Sequence, residues 1–377
     1  MAREGKVAIF SLAYRPKVGG AEIAIEEIAK RLPERRFVVF TMRFDAVHPE
    51  RESRGNVEVV RLCPTWLPLP LRKALYPFAA ARAARIRAAE FGLAWGMMAA
   101  HAGFAASWFK KRFPEKPFLL TLQEGKTEAE IEDETRLIRP IFKSIFLRAD
   151  AVQCISGFLA GIARRYGAGK RIEVVPNGVD VRRFASGDPG DVAASRECWG
   201  LPRSGFVVAT VSRLVPKNGV DTLIEAVAVL PGVSLAVFGD GPDRAALERL
   251  TVARGLGGRI FFAGEITHDR LPSMLKVADC SARLSRAEGF GLAFIESMAA
   301  GLPVVATRVG GIPEFARDGE NALLVPPDDA AAAAAAIARL RDDATLRGRL
   351  VANGFETAKR YDWDGIAQQM DAIFSSL

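Results

Sequence analysis

The sequence predicts an α/β protein of two Rossmann-like domains in tandem, each built on a largely parallel sheet. Three observations lead there. A chain of 377 residues exceeds the size at which one hydrophobic core usually suffices. Short apolar runs alternate along it with stretches of helical period, the rhythm of repeated strand and crossover-helix units. That rhythm breaks in a turn-rich stretch near residues 184–204 and then starts again.

In the first domain the strand candidates are Val7-Ala8-Ile9-Phe10, Phe37-Val38-Val39-Phe40, Val57-Glu58-Val59-Val60, Phe118-Leu119-Leu120 and Ala151-Val152-Gln153-Cys154-Ile155. Amphipathic segments at 21–32, 71–90 and 128–149 are long enough to be crossover helices. The break carries Ser186-Gly187-Asp188-Pro189-Gly190-Asp191 and Gly200-Leu201-Pro202-Arg203-Ser204-Gly205, which read as linker and turn. Beyond it come strands at Phe206-Val207-Val208-Ala209-Thr210-Val211, Leu235-Ala236-Val237-Phe238, Ile260-Phe261-Phe262 and Pro303-Val304-Val305-Ala306. The alanine run 330–336 follows Pro326-Pro327-Asp328-Asp329, an acidic cap that predicts a helix start rather than disorder. Domains are therefore expected at 1–184 and 185–361. A terminal helix over 362–377 has Ile366, Met370 and Phe374 on one face, suited to packing back on the first domain.

Composition narrows the class. With 49% apolar and 25% charged residues the chain is ordinary globular protein. No apolar run reaches the 18 or so residues of a membrane-spanning helix, and the start runs into strand without a signal-peptide core, so a cytoplasmic location is expected. Cys63, Cys154, Cys198 and Cys280 form no Cys-x-x-Cys pair, which predicts reduced thiols and neither zinc nor a disulfide framework. The net charge of +8 is uneven: residues 1–184 hold 32 Lys+Arg against 20 Asp+Glu, giving +12, and the remainder carries −4. A basic first domain suits an anionic partner such as a phospholipid surface or a lipid diphosphate, and equally suits solvated charge with no partner. Aromatics mixed with cations at 69–78 and 108–113 fit a membrane-surface patch or a core with a basic edge. No nucleic-acid reading module is present, so nucleic acid is not expected as a partner.

The most informative stretch runs Arg286-Ala287-Glu288-Gly289-Phe290-Gly291-Leu292-Ala293-Phe294-Ile295-Glu296-Ser297-Met298. Gly289 and Gly291 allow close backbone approach to a ligand just before a helical run that Gly301-Leu302-Pro303 stops. Free N–H groups at that helix start favour a phosphate or diphosphate. Glu288 and Glu296 are too far apart in sequence to act as one tight carboxylate pair. A carboxylate accepts paired hydroxyl donors well, so one glutamate can hold a sugar ring and the other a ribose, with the diphosphate between. Taken alone, the stretch also fits two surface glutamates flanking a glycine turn.

Here the sequence closely resembles the family 4 glycosyltransferases, whose hallmark is a Glu, seven residues and a Glu around a Gly-Phe-Gly loop. The resemblance continues through Gly301-Leu302-Pro303-Val304-Val305-Ala306-Thr307, Gly310-Gly311-Ile312-Pro313-Glu314 and Gly319-Glu320-Asn321-Ala322-Leu323-Leu324-Val325-Pro326. It implies the GT-B fold, with two Rossmann-like domains facing across a cleft, and a retaining, metal-independent transfer of sugar from a nucleotide-sugar to a glycan or lipid-linked acceptor. Glu288, Arg213 and Lys217 would then be catalytic. The donor would be bound by Gly19, Gly20, Arg213, Lys217, Asn218, Glu288, Gly289, Phe290, Gly291, Leu292 and Glu296. Arg213 and Lys217 inherit the diphosphate-neutralising roles from the loop Val211-Ser212-Arg213-Leu214-Val215-Pro216-Lys217-Asn218-Gly219, and two cations there stabilise the leaving group without a metal. Val18-Gly19-Gly20-Ala21-Glu22 resembles the family's first glycine loop, and Val175-Pro176-Asn177-Gly178-Val179-Asp180 its domain end.

One departure stands out. Where relatives carry a histidine after the strand Phe118-Leu119-Leu120-Thr121-Leu122, this chain has Gln123-Glu124-Gly125. Gln123 can contact a sugar or acceptor hydroxyl but cannot titrate. Gly167-Ala168-Gly169-Lys170-Arg171 lacks the residues of a P-loop, and Gly239-Asp240-Gly241 lacks the third glycine of a dinucleotide site. Asp362-Trp363-Asp364 imitates an Asp-x-Asp metal motif but falls at a helix start, so no catalytic metal and no cofactor are expected. Two alternatives remain at this stage: a sugar-nucleotide epimerase, and a silent homologue that binds sugar nucleotide without turnover.

Overall fold

The computed structural model describes residues 5–16, 19–169, 171–188, 190 and 192–377. Lys17, Val18 of the glycine loop, Lys170, Pro189, Asp191 and the first four residues lie outside the described residues. The chain divides into two compact units, Met1–Gly178 with Trp363–Leu377, and Val179–Asp362. The division falls at Gly178 and Val179, earlier than residue 184, because the short helix Val181–Ala185 packs on Leu271–Leu275 and Leu292–Ala299 of the second unit.

The first unit is an eight-stranded sheet: β1 (Lys6–Phe10), β2 (Phe37–Met42), β3 (Arg51–Arg54), β4 (Val57–Leu62), β5 (Phe91–Met97), β6 (Phe118–Leu122), β7 (Ala151–Cys154) and β8 (Ile172–Val174), in the order β3-β4-β2-β1-β5-β6-β7-β8. Only the β3–β4 pair is antiparallel. The chain builds outward from β1 in one direction and then returns to β5 on its other side. The carboxyl ends of β1 and β5 thus form a topological switch point, the place where a doubly wound sheet opens a crevice. Ile9, Val39, Trp95 and Leu119 form the core on one face, where the Trp95 indole donates to Thr121 Oγ1 at 2.7 Å. The terminal helix Trp363–Ser376 completes that core: Ile366, Met370 and Phe374 are buried, Phe374 lies against Trp95 and Phe37, and Asp364 pairs with Arg31 at 2.6 Å.

One expected helix is broken. Residues 128–149 form Glu128–Thr135 and Arg139–Arg148, joined by the 3-10 turn Arg136–Ile138. Pro140 explains the restart, since proline donates no N–H and is tolerated only in a helix's first turn.

The named strands of the second unit all pair in parallel: β9 (Phe206–Val211), β10 (Val233–Phe238), β11 (Ile260–Gly264), β12 (Cys280–Arg283), β13 (Val304–Thr307) and β14 (Leu323–Val325), ordered β11-β10-β9-β12-β13-β14. Its switch point lies between β9 and β12. The alanine run forms the helix Ala330–Asp342, with the Asp329 carboxylate accepting from Ala332 N at 2.8 Å as its cap. Among the described residues no helix is long and apolar enough to cross a membrane.

Candidate active site

Two loops line the switch point of the second unit, one after β9 and one after β12, and they interlock. Gly219 closes the first loop with φ 63°, and a Cβ there would lie 1.9 Å from the carbonyl oxygen of Leu284 in the second, so no other residue fits. The Arg286 N–H donates to Lys217 O at 2.7 Å, while its guanidinium bridges Asp221 (2.7 Å) and Asp328 (2.6 Å). Buried Asn218 turns its amide to Arg213 O at 2.6 Å, so this side chain braces its own loop. On that frame Arg213 is exposed, and no hydrogen bond or ion pair of its side chain is found among the described residues. Lys217 is half-buried and has an interaction partner.

In the second loop Gly291 adopts φ 103° as the cap of the helix Leu292–Ala299, a conformation that strains any residue with a Cβ. Phe290 turns into the core against Phe315 and Tyr361, with ring centroids 5.4 Å from each, so it anchors the glycine loop. Leu292 is the helix's first residue and half-buried.

The two glutamates differ in their surroundings. Glu288 pairs with Arg283 through Oε2 and accepts from Gly289 N through Oε1 at 3.1 Å. Arg283, the last residue of β12, also donates to Ser285 Oγ at 2.9 Å and lies over the Phe294 ring at 5.1 Å. Burial pushes its guanidinium down to about 10, with the Glu296 carboxylate pulling the other way. Glu296 is itself buried, and its Oε1 accepts from His268 Nε2 at 2.8 Å. Arg283 and His268 were not singled out from the sequence. A lone arginine between Ala282 and Leu284 was the available signal for the first, and His268 offered none.

The first unit's switch point gathers a different set. Gly19 precedes the helix Gly20–Arg31, and its N–H donates to Glu22 Oε2 at 2.7 Å. Burial pushes the Glu22 carboxyl up, opposed by that N–H. Gly20 approaches Asn177, whose Nδ2 donates to Gln123 Oε1 at 3.0 Å. Three separate motifs of the sequence, the glycine loop, Gln123 and the stretch around Asn177, thus meet within one unit. Beside Gln123, the Glu124 carboxyl accepts from Ala99 N at 2.6 Å, its Oε2 has no hydrogen-bond partner among the described residues, and burial pushes it up.

The Asp-x-Asp look-alike is engaged structurally: Asp362 accepts from Val181 N at 3.3 Å, and Asp364 pairs with Arg31. Among the described residues no group of three or more His, Cys, Asp and Glu is gathered that could hold a metal ion.

Comparison with known proteins bears on the family and the fold. The family model described as glycosyl transferases group 1 matches residues 191–357, and that of glycosyltransferase family 4 matches residues 18–183. A D-inositol 3-phosphate glycosyltransferase of Acidothermus cellulolyticus is 38% identical over 219 residues, 54% of this chain and 48% of that protein. The lipopolysaccharide core biosynthesis glycosyltransferase LpsE of Rhizobium meliloti is 37% identical over 218 residues, 58% of this chain and 62% of its own length. The chain thus spans about half to three fifths of the length of these curated relatives. Among solved structures, sucrose-phosphate synthase from Thermosynechococcus elongatus superposes with a TM-score of 0.85 at 26% identity, covering 98% of both chains. Anabaena Alr3699/HepE in complex with UDP-glucose gives 0.84 at 24% identity, covering 99% of this chain and 100% of that one, which bears on the fold. From its two matching models and its pair of parallel-sheet α/β domains, the chain belongs to the group 1, family 4 glycosyltransferases of GT-B type.

Proposed function

We propose that this protein is a retaining, metal-independent glycosyltransferase that moves a sugar from a nucleotide-sugar donor to an acceptor hydroxyl in glycan or glycolipid synthesis. The observation that carries this reading is the second unit's switch point, where an exposed arginine, a glycine-capped helix start and two glutamates with different partners share two interlocked loops. Glu296 holds the ribose. Arg213, Lys217 and the N–H groups of the Gly289–Gly291 loop hold the diphosphate, and Glu288 positions the sugar. The anomeric carbon's bond to the leaving phosphate breaks as the acceptor oxygen bonds on the same face, and the acceptor's proton passes to the departing phosphate oxygen. Arg213 and Lys217 stabilise the negative charge that grows there, so no side-chain nucleophile is needed.

A uridine diphosphate sugar is the first donor to try, since one structural neighbour was solved with UDP-glucose. Of the two relatives, one is named for D-inositol 3-phosphate and the other for lipopolysaccharide core biosynthesis, and the second supports an envelope-type acceptor here. We assign the protein to the cytoplasmic face of an anionic membrane. In support, the first unit exposes Trp66 and the stripe Leu71, Leu75 and Phe78 beside Lys73, Arg82 and Arg85. Incubation with sugar nucleotides and candidate acceptors, followed by NMR of the product, tests the reading. An α-linked product from an α-linked donor is expected. An inverted linkage contradicts the mechanism, and release of free epimerised sugar without acceptor favours an epimerase.

A further inference from the structure

We infer that His268 is a positioning residue for donor binding, fixing the Glu296 carboxylate so that one oxygen faces the nucleoside half of the donor. The inference rests on the transferase reading and adds to it a residue outside the paired-glutamate motif.

Glu296 lies in the second turn of Leu292–Ala299 and is 5% exposed. A carboxylate so placed has few ways to satisfy its oxygens. His268 supplies one, at 2.8 Å from Oε1. Because a carboxylate oxygen only accepts, the imidazole carries its proton on Nε2 and donates. No hydrogen bond to Oε2 is found among the described residues, and the Arg283 guanidinium is the charge that the carboxylate feels nearby. Glu288 differs, with a partner on each oxygen. The buried glutamate is thus the one held by a single oxygen with the other left over, so one oxygen is anchored and the lone pairs of the other are offered to hydroxyl donors.

The imidazole is itself fixed. Phe184 of Val181–Ala185 meets its ring at a centroid distance of 5.8 Å and an angle of 57°. Arg183 donates to the His268 backbone oxygen and pairs with Asp269 at 3.3 Å. His268 therefore stands between a helix at the start of the unit and the helix that bears Glu296, with both of its orientations set by neighbours. Loss of the imidazole frees Glu296 to turn without removing any group that touches the reacting carbon, so affinity should suffer more than turnover.

The test is calorimetric titration of UDP, UDP-glucose and GDP-mannose into the full chain, for wild type, His268→Leu, His268→Gln, Glu296→Ala and the double variant His268→Leu/Glu296→Ala. Circular dichroism establishes that each variant is folded. His268→Leu should raise the dissociation constant of the nucleoside diphosphate and its sugar alike by about tenfold, and His268→Gln, which keeps a donor, should recover to within roughly threefold of wild type. The double variant should bind no worse than Glu296→Ala alone, because the histidine acts through the glutamate. Folded His268→Leu that binds as wild type overturns the inference, as does a double variant whose losses simply add, while the transferase reading survives. Wild type that binds none of the three, and no ADP- or CDP-sugar either, at millimolar concentration overturns both.

Discussion

The two units use one topology to different ends. Each winds outward from its first strand and returns to the other side of it, so each opens a crevice at one pair of carboxyl strand ends. In the second unit the crevice loops present an exposed arginine, a half-buried lysine and a helix N-terminus, a setting for an anion. In the first, the corresponding place holds a glycine turn and a pair of neutral amides, Asn177 and Gln123, with a buried carboxyl beside them. Amides that both donate and accept suit hydroxyl groups better than phosphate. Topology fixes where a ligand can sit, and a handful of loop side chains decides which chemistry it meets.

Several experiments can break or sharpen this contrast. The largest effect is expected from Gly219→Ala. Its Cβ would meet the Leu284 carbonyl, so the interlocked loops must part, and urea denaturation should report a loss of about 3 kcal/mol. Arg213→Ala breaks no side-chain pairing among the described residues, so stability should hold while kcat/KM falls about a hundredfold, the effect of losing one preorganised group at a developing negative charge. Unchanged kinetics would remove the anion-binding role of the second crevice.

In the first unit, burial raises the Glu124 carboxyl above its ordinary value, and Glu22 shifts the same way. The folded protein then holds protons that the unfolded chain has released, so stability declines as pH climbs from the ordinary carboxylate range through the raised one. Glu124→Gln, which still accepts from Ala99 N, should flatten that decline and raise Tm at neutral pH. A steeper decline would show that the carboxylate form is the favoured one. The smallest effect is expected at the surface: Trp66→Asp with Phe78→Asp should reduce sedimentation with phosphatidylglycerol vesicles severalfold at low salt and leave soluble turnover unchanged. Equal sedimentation would detach the exposed stripe from any membrane role.

The sequence revealed the second unit more fully than the first. Its strands β9, β10 and β13 are nearly continuous apolar runs, interrupted only by Thr210, Ser234 and Thr307, as strands buried on both faces should be. The central strand β5 escaped because Phe91-Gly92-Leu93-Ala94-Trp95-Gly96-Met97 carries two glycines, and β12 because Cys280-Ser281-Ala282-Arg283 is short and polar. Tertiary pairing on both sides overrides those weak local signals. At the site, residues adjacent in sequence were legible as motifs, whereas the partners that reach across were not. His268 lies 28 residues from Glu296, and no local periodicity couples them. Asn218 and Phe290 appeared as ligand contacts because they sit within motifs, yet their side chains brace the loops that carry the ligand-facing atoms.

The most direct measurement is the binding of UDP-, GDP-, ADP- and CDP-sugars to wild type and to Glu296→Ala. The account predicts that one nucleotide class binds wild type tightly and that removing the carboxylate weakens it by about ten- to a hundredfold, the worth of a hydrogen bond to a charged group. Equal binding by both proteins, or none to either at millimolar concentration, would contradict a donor site at the second unit's switch point.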